Sequence, residues 1–240
     1  MKASKYLWRQ HTVMVILTIN GKGHRFLVAG ITTPKFLLPY DNTTVISSII
    51  SNLKSGFPQA TRFYVGLNVN YKEHVPYLTD LFREQGMKHE IILLEDTKGQ
   101  ADTVRVILEK NRSAGDPMWI VNCDTLVRNT WNFEYSNAQI VVETFESDLP
   151  LYSYIDDLEE VTQIAEKKVI SRHASTGNYY FSDSNEFNDL FTDTTYDKEI
   201  FISDVIQRGI DKNLKVIGTN VPSDSVRVLG TPAQYDTYIK

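Results

Sequence analysis

The sequence predicts an α/β fold, a three-layer α/β/α sandwich built around a mixed, mostly parallel sheet. In the first half of the chain, short aliphatic and β-branched runs alternate with segments whose apolar residues recur at helical spacing. Such alternation is typical of right-handed βαβ units. In the second half, strand-like runs follow one another with short connections, which predicts a small antiparallel extension.

The first-half elements are predicted in strict alternation. The β-branched run at 13–19 predicts a buried strand, and a glycine-rich loop follows it directly. The apolar spacing of residues 45–53 predicts a helix that ends near Gly56. After this helix we expect a strand at 62–69, a helix at 75–84, a strand at 90–94, a helix at 102–110 and a strand at 118–122.

The second-half elements are shorter and mostly strands. We expect strands at 139–144, 151–155, 161–165 and 177–182, a helical stretch after the last of these, a helix at about 202–212, and closing strands at 215–219 and 225–228. No repeat, low-complexity tract or linker divides the chain, so we expect one domain over residues 1–240.

Composition narrows the function classes. The 240 residues carry 25 Lys and Arg against 30 Asp and Glu, a net charge of −5. This balance argues against nucleic acid or a membrane as a partner. The single cysteine, Cys123, gives no disulfide framework, so we expect a cytoplasmic protein. The apolar run near the N-terminus is too short to span a bilayer, and we interpret it as the first strand rather than a signal peptide.

Residues 20–35, NGKGHRFLVAGITTPK, place cations on a glycine-rich loop directly after the first strand. Backbone N–H groups of Gly21 and Gly23 can turn toward a phosphate, because no Cβ blocks the approach. Arg25 and Lys35 would then neutralise its oxygens. A surface turn with solvated cations fits the spacing equally well. The loop is neither a Walker motif nor the GxGxxG dinucleotide fingerprint.

The longer stretch INGKGHRFLVAGITTPKFLLPYDNTTVI resembles the signature of sugar-phosphate nucleotidylyltransferases, AGxGxRF…AGxxxPKxLLPVxGxPxI. It looks most like the compact bacterial branch of capsule and surface-polysaccharide pathways. The resemblance implies a Rossmann-like fold of the nucleotide-diphospho-sugar transferase type, whose antiparallel extension covers the substrate. It implies that residues of about 12–135 bind the nucleotide and residues of about 136–240 bind the acceptor.

The resemblance also assigns roles within the glycine loop. It implies that Asn20, Gly21 and Gly23 wrap the NTP phosphates, and that Arg25 and Lys35 assist the departure of pyrophosphate. Asn20 stands where the family often has Ala.

A second motif, KGQADT at residues 98–103, lies between the third predicted strand and its helix. By itself it is a turn followed by a helix N-cap. It resembles the family segment that reads the base edge, which implies that Gly99 and Gln100 bind the nucleobase.

A third motif, IVNCDT at residues 120–125, sets Asp124 just past the end of a buried strand, where open α/β sheets bind ligands. A carboxylate there can hold Mg²⁺, which prefers oxygen ligands and bridges phosphates. The alternative is a turn or N-cap aspartate. The position of Asp124 resembles the family's metal-binding aspartate, which implies a catalytic Mg²⁺ ligand.

A fourth motif covers residues 164–181, IAEKKVISRHASTGNYYF. The family carries Glu-Lys before a short loop, then Thr-Gly and an aromatic strand. The resemblance implies that Glu166, Lys167, Thr176 and Gly177 bind the acceptor, with Lys167 on its phosphate. A Glu-Lys pair alone is more typical of a solvated surface.

The closing motif VRVLGTP at residues 226–232 departs from the family. Many relatives have an aspartate, the second metal ligand, where this chain has Val228. Either Asp124 holds the metal with phosphates and waters, or another carboxylate compensates. Asp224 is nearby in the sequence and Asp204 lies on the preceding predicted helix, but neither matches the position.

Together these motifs predict a Mg²⁺-dependent nucleotidyltransferase that joins an NTP to a phosphorylated small molecule, with Arg25, Lys35, Asp124 and Lys167 as catalytic residues. Two alternatives stay open: a glycosyltransferase of related fold, and an inactive nucleotide-binding homologue. Glycosyltransferases usually carry Asp-x-Asp where this chain has Asn122-Cys123-Asp124. The base and the acceptor stay open, and no exposed heptad or apolar stripe indicates an oligomeric state.

Overall fold

The computed structural model describes residues 13–57, 61–111, 115–128, 138–191 and 199–239. Within these residues the strands are β1 (Met14–Ile19), β2 (Pro39–Tyr40), β3 (Thr43–Thr44), β4 (Arg62–Asn68), β5 (Lys88–Leu94), β6 (Met118–Asn122), β7 (Thr125–Val127), β8 (Ile140–Glu146), β9 (Ser153–Ile155), β10 (Ile164–Glu166), β11 (His173–Phe181), β12 (Val216–Asn220) and β13 (Val226–Val228). The α-helices are α1 (His24–Val28), α2 (Val45–Gly56), α3 (Val75–Glu84), α4 (Gln100–Asn111), α5 (Ser184–Phe191), α6 (Ile202–Asp211) and α7 (Pro232–Asp236).

The first-half strands form the parallel part of the main sheet, in the order β6-β1-β4-β5. Strand β1 pairs in parallel on both sides, with Met14 opposite Arg62 in β4 and opposite Met118 in β6. The chain therefore adds β4 and β5 on one side of β1 and then crosses to the other side for β6. Open α/β sheets bind ligands at such a reversal, just outside the carboxyl ends of the strands.

Two hydrophobic clusters cover the two faces of this sheet. Successive residues of a strand point to opposite faces, and β1 follows this rule. Met14 and Ile16 belong to one cluster, with α4, α5 and α6, whereas Val15 and Leu17 belong to the other, with α2 and α3. All four side chains are buried. Strand β1 is therefore buried on both faces, as the buried strand predicted at 13–19 requires, and the three-layer α/β/α sandwich is confirmed.

The second half extends the same sheet. Strand β11 pairs antiparallel with β6, β8 and β9, and β9 pairs antiparallel with β10. Strand β12 then pairs in parallel with β8. The predicted antiparallel extension is therefore continuous with the parallel core. Two small antiparallel pairs, β2 with β3 and β7 with β13, lie outside the main sheet.

The predicted elements are found with modest shifts at their ends. The largest shift is in the aromatic strand, which begins at His173 instead of 177, because the backbone passes through Gly177 with a register irregularity rather than starting there. The short helices α1 and α7 and the short strands β2, β3 and β7 have too little periodicity to be predicted. The predicted boundary at 135–136 lies outside the described residues. Among the described helices, none combines the length and apolarity that a bilayer crossing requires.

Candidate active site

The larger of two neighbouring cavities, about 700 Å³, opens where β1, β5 and β6 end. It lies at the strand-order reversal between β1 and β6. All the predicted nucleotide-binding residues except Arg25 line it: Asn20, Gly21, Gly23, Lys35, Gly99 and Gln100. Asp124 lines it as well. The fold thus brings together residues that are about 100 positions apart in the chain.

The glycine loop connects β1 to α1. A Cβ at Gly21 would meet nothing within 4 Å, so this residue is open to the approach of a ligand. Gly23 has φ of 67°, in the left-handed region, and its carbonyl accepts from the backbone N–H of Phe26 at 2.8 Å. Since L side chains rarely adopt this φ, Gly23 is needed to turn the chain into α1.

Lys35 and Asp124 form an ion pair between Nζ and Oδ2. Their side chains are only 16% and 18% exposed. Lys35 follows Pro34 and opens a short 3-10 turn, whose buried Phe36 anchors it in the core. The ammonium also lies 6.0 Å from the ring centroid of Phe26. A largely buried cation and a largely buried carboxylate are therefore held together on the cavity wall.

The inner end of the larger cavity carries amide side chains. The Asn20 amide Nδ2 donates to the Glu95 carbonyl at 3.1 Å and to Thr97 Oγ1 at 2.9 Å. Gln100 Nε2 donates to Thr18 Oγ1 at 3.2 Å, which leaves the Gln100 carbonyl oxygen to accept. Both amides are therefore held in fixed orientations beside the cavity.

Backbone packing requires a glycine at position 99, apart from the predicted role of Gly99 in binding the nucleobase. Its φ is 112°, and a Cβ added there would come within 2.6 Å of the Ile200 carbonyl oxygen. The Ile200 backbone N–H donates to the Lys98 carbonyl at 2.7 Å, which draws the two segments together. The glycine is required because the segment before α6 packs against this turn.

The smaller cavity, about 280 Å³, lies on the other side of Asp124 and is built largely by the second half of the chain. All four predicted acceptor-binding residues line it: Glu166, Lys167, Thr176 and Gly177. Arg25, an exposed residue of α1, lines this cavity and not the larger one. Arg25 therefore shares the smaller cavity with Lys167.

Glu166 and Lys167 are held by different partners. Glu166 Oε2 accepts hydrogen bonds from Ser203 Oγ at 3.0 Å and from Ser153 Oγ. Lys167 Nζ lies 3.5 Å from Glu166 Oε1 and 4.3 Å from the ring centroid of Phe201, a cation–π distance. Lys167 also has φ of 53°. Unusual backbone of this kind is common at ligand sites and costs roughly 1–3 kcal/mol.

A register irregularity in β11 positions Thr176 and Gly177. Gly177 has φ of 88°, and a Cβ there would come within 2.6 Å of Asn122 Nδ2. Thr176 Oγ1 donates to the buried Glu143 carboxylate at 2.8 Å, and Asn178 Nδ2 donates to the same oxygen at 2.8 Å. Thr176 therefore has a buried partner inside the sheet.

Asn122 lines both cavities but was not predicted as a site residue from the sequence, and neither were Asn178 and Glu143, which support it. Asn178 Oδ1 accepts from the Asn122 backbone N–H at 3.3 Å, and Glu143 in turn holds Asn178. Asn122 is the last residue of β6, so its place at a strand end was the available signal. Glu143 and Asn178 lie within strands and give no comparable signal.

The two cavities meet at three shared lining residues, Gln100, Asn122 and Asp124. Ligands in the two spaces would therefore face each other across Asp124. Lys35 contacts Asp124 at this junction from the larger cavity, and Arg25 and Lys167 line the smaller one. The arrangement fits two anionic groups brought together at one carboxylate.

Val228 lines the smaller cavity near Asp124. It lies opposite Thr125 in the β7–β13 pair, and the Leu229 backbone N–H donates to the Asp124 carbonyl at 2.7 Å. Asp204 lies elsewhere, since its Oδ2 accepts from the Phe201 backbone N–H at 3.0 Å as a cap of α6. Within the described residues, no group of three His, Cys, Asp or Glu side chains forms a metal cluster.

Cys123 lines the larger cavity beside Asp124. Removal of its thiol from water raises its pKa to about 12. The thiolate is the nucleophilic form of cysteine, so Cys123 is a neutral packing residue near pH 7. The residue is half-buried rather than fully buried, and its neutral thiol agrees with the interpretation from the sequence that it is not a nucleophile.

No protein-family model matches the chain, and no curated protein matches it by sequence. Several solved structures, however, resemble the chain in fold. A nucleoside-diphosphate-sugar pyrophosphorylase from Vibrio cholerae RC9 superposes with a TM-score of 0.81 at 23% identity, covering 94% of this chain and 99% of that one.

Two further solved structures have the same fold. The inositol-1-phosphate CTP transferase from T. maritima gives a TM-score of 0.78 at 15% identity, covering 95% of this chain and 94% of that one. A UDP-glucose pyrophosphorylase complexed with UDP-glucose gives 0.78 at 15% identity, covering 95% and 97%. Over nearly its whole length, the chain has the fold of these nucleotidyltransferases.

Proposed function

We propose that this protein is a nucleotidyltransferase that moves an NMP group from an NTP to a phosphorylated small molecule and releases pyrophosphate. The observation that carries the proposal is the meeting of two polar cavities at Asp124, with Lys35 on one side and Lys167 on the other. Such a reaction needs two anionic substrates held in line, and the fold neighbours are nucleotidyltransferases.

In the proposed reaction the acceptor phosphate, held in the smaller cavity, attacks the α-phosphorus of the NTP. A bond forms between an acceptor oxygen and the α-phosphorus, and the bond from this phosphorus to the bridging oxygen of the β-phosphate breaks. Pyrophosphate then leaves with that oxygen and the electron pair. No protein nucleophile is needed, because the attacking oxygen is already ionised, and the neutral thiol of Cys123 agrees with this.

Lys35 is proposed to stabilise the leaving pyrophosphate. It lies beside the glycine loop, and a Cβ on Gly23 would be 3.5 Å from Lys35 Cβ. An ammonium fixed in position before the reaction stabilises the negative charge that grows on the leaving group. Asn20, Gly21, Gly99 and Gln100 are proposed to hold the rest of the nucleotide.

Arg25 was expected to share this role with Lys35. Its position in the smaller cavity supports a different assignment, in which Arg25 and Lys167 bind the acceptor phosphate from two sides. Guanidinium binds phosphate in a two-pronged manner, whereas ammonium acts as a point charge. We therefore propose that Arg25 orients the attacking phosphate.

Asp124 is the residue proposed to hold Mg²⁺. Mg²⁺ sites commonly use one or two carboxylates plus substrate phosphates and keep several waters. Asp124 fits this donor set, since its carboxylate lies at the junction of both cavities. The ion would neutralise phosphate charge, with Asp124 as its protein ligand. Val228 supplies no second carboxylate, so the remaining ligands of the ion would come from the nucleotide phosphates and water.

The smaller cavity supports a polyhydroxylated acceptor such as a sugar 1-phosphate. Its wall includes hydroxyl, amide and carboxylate groups on Tyr152, Ser153, Glu166, Ser175, Tyr179 and Gln234. Burial raises the pKa of Tyr179 to about 12, so its hydroxyl stays a donor. Hydroxyl groups both donate and accept, which suits recognition of a sugar. We further propose that the product is a cytoplasmic precursor of a surface glycan.

The test is pyrophosphate release from a panel of CTP, UTP, dTTP and GTP with sugar and alditol phosphates and Mg²⁺. We expect one pair of substrates to turn over, and Asp124→Asn to abolish that turnover while the protein stays folded. Nucleotide binding without any turnover would favour the inactive homologue, which Val228 keeps open as an alternative.

A further inference from the structure

Lys22, the residue between the two glycines of the loop, has no role in the proposed reaction so far. It lines the larger cavity, and its Nζ lies 2.5 Å from Asp96 Oδ2. Asp96 belongs to the segment that follows β5 on the opposite wall of the cavity. In the sheet order, β4 separates β1 from β5. The ion pair therefore bridges two walls of the nucleotide cavity.

Asp96 is the anchored member of the pair. Its Oδ1 accepts a hydrogen bond from Asn68 Nδ2 at 3.0 Å, and Asn68 is fully buried at the end of β4. The side-chain oxygen Oδ1 of Asn68 in turn accepts from the Asn70 backbone N–H at 3.1 Å. Hydrogen bonds from Lys22 and then Asn68 lower the pKa of Asp96, which keeps it ionised. The carboxylate thus has a support that is independent of Lys22.

Lys22 is the member that can move. Its side chain is 49% exposed, and that of Asp96 is 62% exposed. Exposed ion pairs contribute little to stability, because water screens both charges. A triphosphate on the glycine loop carries several negative charges and competes well for an ammonium that stands between Gly21 and Gly23. After Lys22 has moved to the phosphates, Asp96 keeps its hydrogen bond from Asn68 and its contact with water.

We infer that Lys22 is a further phosphate-binding residue, held by Asp96 when the cavity is empty and transferred to the nucleotide phosphates on binding. The inference rests on the proposed function, since it takes an NTP as the ligand of the larger cavity. Asp96 acts as an internal competitor of the phosphate and sets the nucleotide affinity.

A double-mutant cycle with Lys22→Met and Asp96→Asn tests the competition. We expect Lys22→Met to weaken nucleotide binding by about tenfold, the size of one charge-assisted contact. Asp96→Asn keeps the acceptor for Asn68 and frees Lys22, so it should tighten binding. In the Lys22→Met background it should tighten binding less, because only the general charge effect is left.

The binding constants are measured by calorimetry with each NTP and with inorganic pyrophosphate. The matched controls are Arg83→Met and Asp80→Asn, an exposed pair on α3 at 2.7 Å, which should leave binding unchanged. An Asp96→Asn effect of equal size in both backgrounds, or an unchanged affinity in Lys22→Met, overturns the inference.

The same titrations separate this inference from the proposed function. If pyrophosphate binding follows the expected cycle although no NTP turns over, Lys22 is a phosphate-binding residue and the proposed reaction is wrong. If NTPs turn over while the cycle shows no coupling, the reaction stands and the inference is wrong. Wild-type protein that binds neither ligand contradicts both.

Discussion

Lys35 and Asp124, 89 positions apart in the chain, form an ion pair at the point where the two cavities meet. Lys35 comes from the segment after β1 and Asp124 from the turn after β6, two strands that pair in parallel. The pairing of these strands therefore places Lys35, the proposed leaving-group cation, beside the proposed metal ligand. In the nucleotide-free protein each charge compensates the other, so neither is left unpaired in a half-buried site.

Replacing Lys35 and Lys167 by alanine should cause different kinetic defects. Lys35→Ala should lower turnover strongly, on the order of 3 kcal/mol or a hundredfold, because charge on the departing pyrophosphate grows toward the transition state. Lys167→Ala should raise the acceptor KM while the NTP affinity, measured without acceptor, stays near wild type. Steady-state kinetics and calorimetry check both.

Lys72 provides a matched control, since it lies in the turn before α3 and lines neither cavity. Lys72→Ala should behave as wild type in both assays. Identical kinetic defects in Lys35→Ala and Lys167→Ala, or loss of NTP binding in Lys167→Ala, would contradict the division of roles.

Val228→Asp should create a second carboxylate next to Asp124. The neighbouring Gly230 is close enough that a Cβ there would be 3.3 Å from Asp124 Oδ2, so this segment abuts the proposed metal ligand. We expect Mn²⁺ affinity of the nucleotide-free protein to rise by about tenfold, because a second anionic oxygen strengthens a divalent site. Calorimetric titration with Mn²⁺ measures it.

Val228→Asn is the control for this prediction, since it has a similar shape and no charge. It should leave the Mn²⁺ affinity unchanged. Equal effects of the two substitutions would show that residue 228 does not act through a carboxylate near Asp124.

Cys123 should resist alkylation in the folded protein. With its pKa at about 12 against an ordinary value near 8.5, the thiolate at pH 8 is about two thousandfold scarcer than in the unfolded chain. Because the chain has one cysteine, mass spectrometry of the intact protein after iodoacetamide treatment gives the rate directly. Similar rates with and without urea would mean that Cys123 is ionised in the folded protein and is available as a nucleophile.

The fold was predictable because its signals are local and repeated. Strand β1 is apolar at every position except Thr18, which indicates a strand buried on both faces, and the alternation that follows indicates parallel units. Strand β11 was predicted too short because its irregularity depends on the approach of Asn122, a contact between strands that no local pattern records.

The site was predictable only in part, for a similar reason. The glycine loop and Asp124 follow strands directly, so strand-end rules find them. Asn122 supported by Asn178 and the pairing of Lys22 with Asp96 depend on contacts between distant segments. The side on which Arg25 lies depends on where α1 is directed, and a helix of five residues gives no periodicity from which to predict it.

The most direct test of the proposed function follows the α-phosphorus. With an NTP labelled at its α-phosphate and the acceptor selected by the substrate panel, the label should appear in the nucleotide-linked product, and the pyrophosphate should be unlabelled. Asp124→Asn should give no labelled product. The account would be contradicted if the label were released as free NMP or NDP without transfer to the acceptor. It would also be contradicted if the labelled NTP stayed intact with every acceptor of the panel.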